Sequence, residues 1–262
     1  MKLNPLVEPG PALGASDTER FARHLPIPEL GEEAQRRLRE AKVCVVGAGG
    51  LGSPALLYLA AAGVGTLGIV DADAVELVNL QRQVLHSTNR IGVPKAESAA
   101  SRLTELDPGI RIVQHIVRLT AENAAEMLGG YDLVLDAVDN FPTRYVISDT
   151  CAELGIPVVW AAVRVTRAQI SMFWSRPQTP QGPTDGITLR DLHPEPPDEA
   201  TWVTAAQVGV LGAMCGQVGS IMANEAVKLI TGAGETLFGR LLYLDTMTAR
   251  TAEVAITPRR TS

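Results

Sequence analysis

Two hydrophobic periods alternate along the chain from residue 43 onwards. Short runs rich in Val, Ile and Leu are typical of buried strands, and the segments between them have the three-to-four-residue apolar spacing of helices. Such alternation predicts an α/β fold of the Rossmann type, with a doubly wound, mostly parallel sheet. The pattern predicts strands at 43–46, 66–71, 110–115, 132–137 and 157–161, and helices at 50–62, 94–105, 121–128 and 141–154.

The regions on either side follow other patterns. Ser16 and Glu19 have the spacing of a capping box, which predicts a short helix that carries Arg20 and Arg23, and residues 32–40 predict a second helix. These two helices precede the first strand. Residues 1–17 are expected to form a flexible tail.

Beyond Ala168 the period changes again. The run AQISMFW alternates as an antiparallel strand does, whereas 176–204 is rich in Pro and acidic residues and is expected to be an irregular crossover loop. A long helix is predicted at 206–231, and alternating strands at 240–245 and 251–256 close the chain. We therefore expect one domain over 1–262 that ends in antiparallel strands.

Composition narrows the possible partners. The net charge of −6 and the pI near 5.3 argue against a surface for nucleic acid or anionic membrane, since both require clustered Lys and Arg. The apolar stretch 208–222 is too short to span a bilayer and predicts a buried helix. The N-terminus lacks the apolar core of a signal peptide, which favours the cytosol.

The cysteines exclude two further classes. Cys44, Cys151 and Cys215 are far apart and form no CxxC pair. Neither a disulfide framework nor a four-thiolate zinc site is predicted.

The stretch VCVVGAGGLG carries the first candidate chemistry. A strand that enters a helix through a glycine turn presents bare backbone amides to an anion, and Gly47, Gly49, Gly50 and Gly52 make such a turn. Asp71 ends the next strand, where an acid usually binds ribose hydroxyls. Tight strand–helix packing is the alternative, but together these features favour an adenosine nucleotide.

A basic, amide-rich segment follows Asp71. NLQRQ at 79–83 is followed by Lys95 at the start of a helix. Guanidinium and ammonium groups neutralise polyphosphate charge, so Arg82 and Lys95 point to a triphosphate site. Individually each is equally compatible with a solvated surface cation.

Asp139 and Asn140 stand at the carboxyl end of a predicted strand, where open α/β sheets bind ligands. The carboxylate of Asp139 is a candidate Mg²⁺ ligand and Asn140 a neutral one. Alternatively, the two residues cap the helix that begins at Phe141. Arg144 either reaches the same pocket or balances Asp139.

Several motifs together resemble the MoeB/ThiF adenylyltransferases and the ubiquitin-activating enzymes, particularly the MoeZ type of actinobacteria. The resemblance runs from about Arg20 to the C-terminal strands. The motifs that carry it are GAGGLGSPALLYLAAAGVGTLGIVDAD, NLQRQVLH, KAESA, LVLDAVDNFPTRY, RDLHPEPP and KLITGAGETLFGRLL.

The resemblance implies an activity. Family members adenylate a C-terminal carboxylate, usually the Gly-Gly tail of a ubiquitin-like sulfur carrier, with release of pyrophosphate. It implies catalytic roles for Arg82, Lys95, Asp139 and Arg23, with Arg23 reaching into the other subunit of a homodimer. It implies binding of ATP and magnesium by Gly47, Gly49, Gly50, Asp71, Val78, Asn79, Leu80, Gln81, Arg82, Lys95, Asp139 and Asn140.

Departures from the family pattern leave alternatives open. The paired CxxC motifs for zinc are absent, and a family cysteine aligns with Ala205, so an inactive ATP-binding scaffold is one alternative. Arg164 and Arg167 make their stretch more basic than in relatives, which indicates either another carboxylate substrate or surface strand residues. A nicotinamide oxidoreductase would use the glycine turn but leave Lys95 and Asp139 unexplained.

Overall fold

An eight-stranded sheet forms the centre of the protein. The computed structural model describes residues 1–197 and 205–259. The strands lie in the order β10-β9-β6-β5-β4-β1-β2-β3, and β7 and β8 form a separate small hairpin. The strands are β1 (Lys42–Val46), β2 (Thr66–Val70), β3 (Arg111–His115), β4 (Leu133–Asp136), β5 (Val158–Arg164), β6 (Arg167–Phe173), β7 (Gln178–Thr179), β8 (Gly182–Pro183), β9 (Arg240–Asp245) and β10 (Arg250–Ala255).

The first five strands confirm the Rossmann prediction. Their pairings, β3-β2-β1-β4-β5, are all parallel. The connecting segments place helices between successive strands. The described α-helices are α1 (Ala15–Arg20), α2 (Gly31–Glu40), α3 (Gly52–Ala61), α4 (Lys95–Leu106), α5 (Ala121–Leu128), α6 (Phe141–Leu154), α7 (Leu189–Leu192), α8 (Ala205–Val208) and α9 (Gly212–Thr231).

The core lies on both faces of this sheet. All four residues of β4 are buried, as are Val43–Val46 of β1, so these central strands read as continuous apolar runs. α9 packs against α3 and α2 and against β5 and β6. Among the described residues, no helix combines the length and the apolar character needed to cross a membrane.

The C-terminal part of the sheet is antiparallel, as predicted. β5 turns directly into β6, and β9 and β10 extend the sheet at that edge. Arg167 in β6 forms an ion pair with Asp245 at 3.1 Å and is largely exposed, and Arg164 is exposed on the paired strand. Their position is that of surface strand residues.

The predicted helix over 206–231 is wrong in its first part. Gly209 has a φ of +76° and interrupts the helix, which separates α8 from α9. In the break, Val210 bridges to Val165 and the amide of Leu211 donates to the Val165 carbonyl at 3.2 Å. A tertiary contact thus outweighs the helical pattern of the sequence.

Residues 1–17 and 176–204 contain more structure than the sequence predicted. α1 begins after Gly14 rather than at a Ser16 cap. In the segment expected to be a tail, Leu3 is buried and the Asn4 amide donates to the Gln178 carbonyl at 2.9 Å. The expected crossover loop contains β7, β8 and α7, and its residues 198–204 lie outside the described residues.

Candidate nucleotide-binding site

The glycine turn lies where β1 ends and α3 begins. Gly47 has a φ of +98°, and a Cβ there would lie 2.8 Å from the Ala137 carbonyl oxygen. A Cβ on Gly52 would overlap the carbonyl oxygen of Gly47. Both positions therefore require glycine, since a side chain at Gly47 would collide with the segment that follows β4 and one at Gly52 with the turn itself.

Asp71 is tied to this turn. Its Oδ2 accepts a hydrogen bond from the Ala48 amide at 2.8 Å, and its Oδ1 accepts one from the Asp73 amide at 2.9 Å. An ionised carboxylate has about four lone-pair sites, so Asp71 keeps acceptor capacity for a ribose hydroxyl. The structure thus places Asp71 against the glycine turn, as the spacing predicted.

Arg82 lies on the other side of the turn. Its Nη2 donates to Asn79 Oδ1 at 2.8 Å, and its Cγ and Cδ pass 3.4 and 3.5 Å from the position of a Cβ on Gly50. Asn79 in turn donates to Glu76 at 3.1 Å. Arg82 is therefore held beside the glycine turn, with its guanidinium bonded to Asn79.

The residues next to Arg82 in the segment 78–83 differ in burial and packing. Val78 and Gln81 are exposed, and Leu80 is half-buried. The carbonyl of Gln81 lies against Gly212, where a Cβ would overlap it, so the start of α9 packs against this segment.

Lys95 begins α4 and is 5 % exposed. Its Nζ donates to Asp73 Oδ2 at 3.0 Å, and its backbone amide donates to the Asp73 carbonyl at 2.8 Å. Asp73 follows Asp71 by two residues, so Lys95 joins the site through this short acidic segment. The sequence did not predict that its ammonium already has a carboxylate partner.

Asp139 and Asn140 follow β4, next to β1. The Ala137 amide donates to the Val46 carbonyl at 3.0 Å, which brings this segment alongside the turn. Asn140 Oδ1 accepts from the Thr143 amide at 3.0 Å and caps α6, as one of the two alternatives proposed. Within the described parts of the chain, no hydrogen bond or ion pair engages the exposed Asp139 carboxylate.

A single carboxylate suits magnesium in a nucleotide site, because the ion takes one or two carboxylates together with phosphate oxygens and water. The described residues contain no group of three or more His, Cys, Asp or Glu side chains arranged for a metal. Asp139 therefore fits magnesium only in company with the phosphates. It does not form a metal site alone.

Arg144 pairs with a carboxylate other than Asp139. Its Nε lies 3.6 Å from Asp136 Oδ2, and its Nη2 donates to the Val138 carbonyl at 2.7 Å. Asp136 is buried, and burial raises its pKa against the opposing effect of Arg144. Arg144 thus holds the backbone immediately before Asp139, which neither sequence alternative anticipated.

Arg23 is separated from the site of its own chain. The nearby Arg20 donates from Nη1 to the carbonyl of Leu106, the last residue of α4, at 3.0 Å. Lys95 begins the same helix, about 16 Å away at 1.5 Å per residue. Phe21 lies against Gly63, beyond the end of α3 opposite the glycine turn. The structure therefore does not bring Arg23 together with the other predicted residues.

Two polar residues, Gln83 and His86, contact the glycine turn, and the sequence did not predict these contacts. Gln83 is 4 % exposed, and its Nε2 lies 3.6 Å from the position of a Cβ on Gly49. Its Oε1 is buried and has no hydrogen-bond partner among the residues that the structure describes. The buried His86 forms hydrogen bonds with the Ala48 carbonyl and the Ser98 hydroxyl. Both belong to the motif NLQRQVLH, which was the available signal.

Cys215 is buried, as expected of a small apolar residue. Its Sγ lies 3.0 Å from the position of a Cβ on Gly50. Burial raises the pKa of this thiol, and Arg82 opposes the increase. A buried thiol whose pKa is raised is a poor nucleophile, which agrees with a packing role for Cys215.

Known proteins are similar to this chain in sequence. The chain is 49% identical over 245 residues to the "Probable adenylyltransferase/sulfurtransferase MoeZ" of Mycobacterium tuberculosis, an alignment that covers 94% of this chain and 62% of that protein. It is 46% identical over 233 residues to the "Sulfur carrier protein adenylyltransferase" of Thermus thermophilus, covering 89% and 85%. It is 45% identical over 236 residues to the "SAMP-activating enzyme E1" of Haloferax volcanii, covering 90% and 84%.

Solved structures share the fold. The structure of PaaA superposes with a TM-score of 0.75 at 22% identity, covering 94% of this chain and 75% of that one. The structure of E. coli MccB with ATP gives a TM-score of 0.76 at 18% identity, covering 94% and 74%. The ThiF family model matches residues 21–262. A Rossmann sheet with this glycine turn, these relatives and that match together place the chain in the ThiF family.

Proposed function

We propose that the protein adenylates the C-terminal carboxylate of a small ubiquitin-like sulfur carrier that ends in Gly-Gly. The observation that carries this proposal is the position of the glycine turn, of Arg82 beside it and of the segment that leads to Asp139, all at the carboxyl edge of the parallel sheet. The names of the relatives from Thermus thermophilus and Haloferax volcanii agree with it. The chain spans only 62% of the length of the MoeZ relative. The activity of the whole protein is therefore part of this proposal.

The chemistry requires no protein nucleophile. A carboxylate oxygen of the carrier attacks the α-phosphorus of ATP, a phosphorus–oxygen bond forms, and the bond to the leaving pyrophosphate breaks. The products are an acyl-adenylate and pyrophosphate. Alignment and charge neutralisation therefore provide the catalysis, and a preorganised cationic site contributes several kcal/mol.

Each residue has a role in that reaction. Asp71 binds the ribose, the amides of the glycine turn bind phosphate oxygens, and Arg82 neutralises the negative charge that develops on the leaving group. Lys95 acts in the same way when its ammonium turns from Asp73 towards the phosphates. Magnesium, held by Asp139, supplies further charge neutralisation when bound.

A homodimer completes the site in this proposal. Arg23 follows Arg20, which bonds to Leu106 at one end of α4, whereas Lys95 lies at the other end of that helix. Arg23 therefore cannot reach the phosphates of its own chain. A second copy can supply it only if the two molecules bring opposite ends together.

An open apolar groove of about 710 Å³ offers the surface for such a dimer. Its lining includes Leu106, the last residue of α4, together with Val84 and Gly216, the neighbours of Gln83 and Cys215. Pro54, Leu57 and the exposed Tyr58 of α3 also line it. A two-fold axis across the groove would place the Arg23 end of one copy beside the phosphate site of the other.

The cysteines agree with a reducing compartment. Cys44, Cys151 and Cys215 are free and buried. Together with the use of ATP, they support the cytoplasm as the site of action.

Exchange of labelled pyrophosphate into ATP tests the proposal. Exchange should require magnesium and a carrier with an intact Gly-Gly terminus, and a carrier that lacks the two glycines is the matched control. Equal exchange with both carriers would show that the Gly-Gly terminus of the carrier is not the substrate. An absence of exchange with every Gly-Gly carrier tested would refute the proposal.

A further inference from the structure

His86 links three parts of the nucleotide site. Its side chain is 7 % exposed. Nε2 lies 2.9 Å from the carbonyl oxygen of Ala48 in the glycine turn, and Nδ1 lies 2.9 Å from the hydroxyl of Ser98 in α4. The His86 amide donates to the Gln83 carbonyl at 3.0 Å. One imidazole thus connects the turn, the helix that starts with Lys95 and the segment that carries Arg82.

The partners determine the tautomer. A backbone carbonyl can only accept a hydrogen bond, so Nε2 must carry the proton that is shared with Ala48. Nδ1 then accepts from the Ser98 hydroxyl in the neutral ring. Burial, the largest effect, lowers the pKa of His86, and Lys95 lowers it further, whereas the Ala48 hydrogen bond and Asp71 oppose the decrease. The neutral form agrees with this environment.

Ala48 is therefore fixed from both sides. Its amide donates to Asp71 at 2.8 Å while its carbonyl accepts from His86. The Ala48 carbonyl and the Gly49 amide belong to one planar trans peptide, in which the C=O and N–H bonds point in opposite directions. The bond to His86 draws the carbonyl into the protein, so the Gly49 N–H faces away from it. Among the described residues, that N–H has no hydrogen-bond partner.

We propose that His86 is a positioning residue that sets the Ala48–Gly49 peptide so that the Gly49 N–H meets a phosphate oxygen of ATP. Glycine at position 49 lets this peptide rotate easily, so an external bond is needed to hold one orientation. Ser98 contributes by fixing the tautomer that can donate to Ala48. This inference rests on the proposed ATP site but not on the identity of the acyl substrate.

Three substitutions separate positioning from simple structural support. His86→Phe fills the space without a donor, His86→Gln retains an amide donor near the position of Nε2, and Ser98→Ala removes the tautomer partner. His115→Phe is the matched control, because His115 is also a partly buried histidine but bonds to Tyr131 at 3.0 Å rather than to the turn. ATP affinity is measured by calorimetry on the intact chain with thermal unfolding in parallel.

His86→Phe should weaken ATP binding about 10- to 100-fold, the range for loss of one hydrogen bond to a charged group. His86→Gln should recover most of that loss, and Ser98→Ala should weaken binding less than His86→Phe does. His115→Phe should bind ATP as the wild type does. Unchanged affinity in His86→Phe, or a His86→Gln variant as weak as His86→Phe, would overturn the proposal.

A second measurement needs no substitution. Nitrogen NMR of histidine-labelled protein should show the proton of His86 on Nε2, and a proton on Nδ1 alone would overturn the proposal. The wild-type titration separates the two levels of inference. A wild type that binds no ATP refutes the nucleotide site and this role together, whereas a wild type that binds ATP without pyrophosphate exchange leaves the His86 role testable while the adenylation proposal fails.

Discussion

Replacing Asp71 by Asn provides a direct test of the glycine turn because the two side chains have nearly the same shape. In the wild type, the two carboxylate oxygens accept from two backbone amides, those of Ala48 and Asp73, at 2.8 and 2.9 Å. Asn has only one acceptor oxygen. One of the two amides must then face the side-chain NH₂, which cannot accept.

The expected magnitude follows from that loss. A hydrogen bond to a charged group contributes about 1.5–3 kcal/mol, so Asp71→Asn should lower the free energy of unfolding by about that amount. For a protein of this size, each kcal/mol corresponds to about 2–4 °C in Tm, which gives a decrease of about 3–12 °C. ATP binding should weaken as well, since the turn and the ribose acceptor change together.

Asp132→Asn is the matched control. Asp132 Oδ2 accepts from the Lys42 amide at 2.8 Å, a bond of the same kind at the amino end of β1, far from the turn. One amide needs only one oxygen, so Asn can still make this bond. Thermal unfolding and ATP titration of both variants provide the comparison. Equal Tm and equal ATP affinity in Asp71→Asn and Asp132→Asn would refute the reasoning.

Further predictions concern charge. Arg82→Ala and Asp139→Ala should each abolish adenylate formation without unfolding the protein, and normal pyrophosphate exchange in either variant would contradict its assigned role. Asp73→Asn should tighten ATP binding about 2- to 5-fold, because it removes the negative charge of a 67% exposed side chain beside the ammonium of Lys95. Weaker binding of ATP in calorimetry would argue against Lys95 as a phosphate ligand. Burial lowers the pKa of His86 in the folded chain. Below the ordinary histidine pKa of about 6.5, His86 is therefore protonated in the unfolded chain but stays neutral in the folded one. The free energy of unfolding should accordingly fall as the pH drops from about 7 towards 5, and level off below the folded pKa. Urea unfolding at a series of pH values measures this slope, which should be shallower in His86→Gln and would count against the assignment if it were not.

Much of the fold was predictable because its local and long-range preferences agree. The helices predicted at 121–128 and 141–154 and the strand at 240–245 have the same bounds in the structure. Each combines a clear hydrophobic period with a recognisable end signal, such as the Asn140 cap or the glycine after the helix. The parallel direction of β1 to β5 follows from the same alternation of strands and helices, whereas their order was not predicted.

Contacts between distant residues were not predictable. The separation of α8 from α9 depends on Val165 in a hairpin that the helical pattern does not register. The ion pair between Arg144 and Asp136 depends on how α6 packs over β4. A motif shows which residue types occur together, whereas only the folded chain shows which atoms meet.

The same distinction applies within the site. The sequence predicted that Asp71 and Arg82 serve a nucleotide, and the structure places both against the glycine turn. It did not predict that Lys95 pairs with Asp73, because an exposed loop carboxylate carries no periodic signal. The contact of Arg20, three residues before Arg23, with the far end of α4 likewise became visible only in three dimensions.

The most direct test of the central claim is the intact mass of a Gly-Gly sulfur carrier after incubation with the protein, ATP and magnesium. The proposed reaction predicts a carrier that gains one AMP group, and no such gain with the Asp139→Ala variant or with a carrier that lacks its two terminal glycines. A carrier mass that stays unchanged with the wild-type protein, while ATP is bound, would contradict the claim.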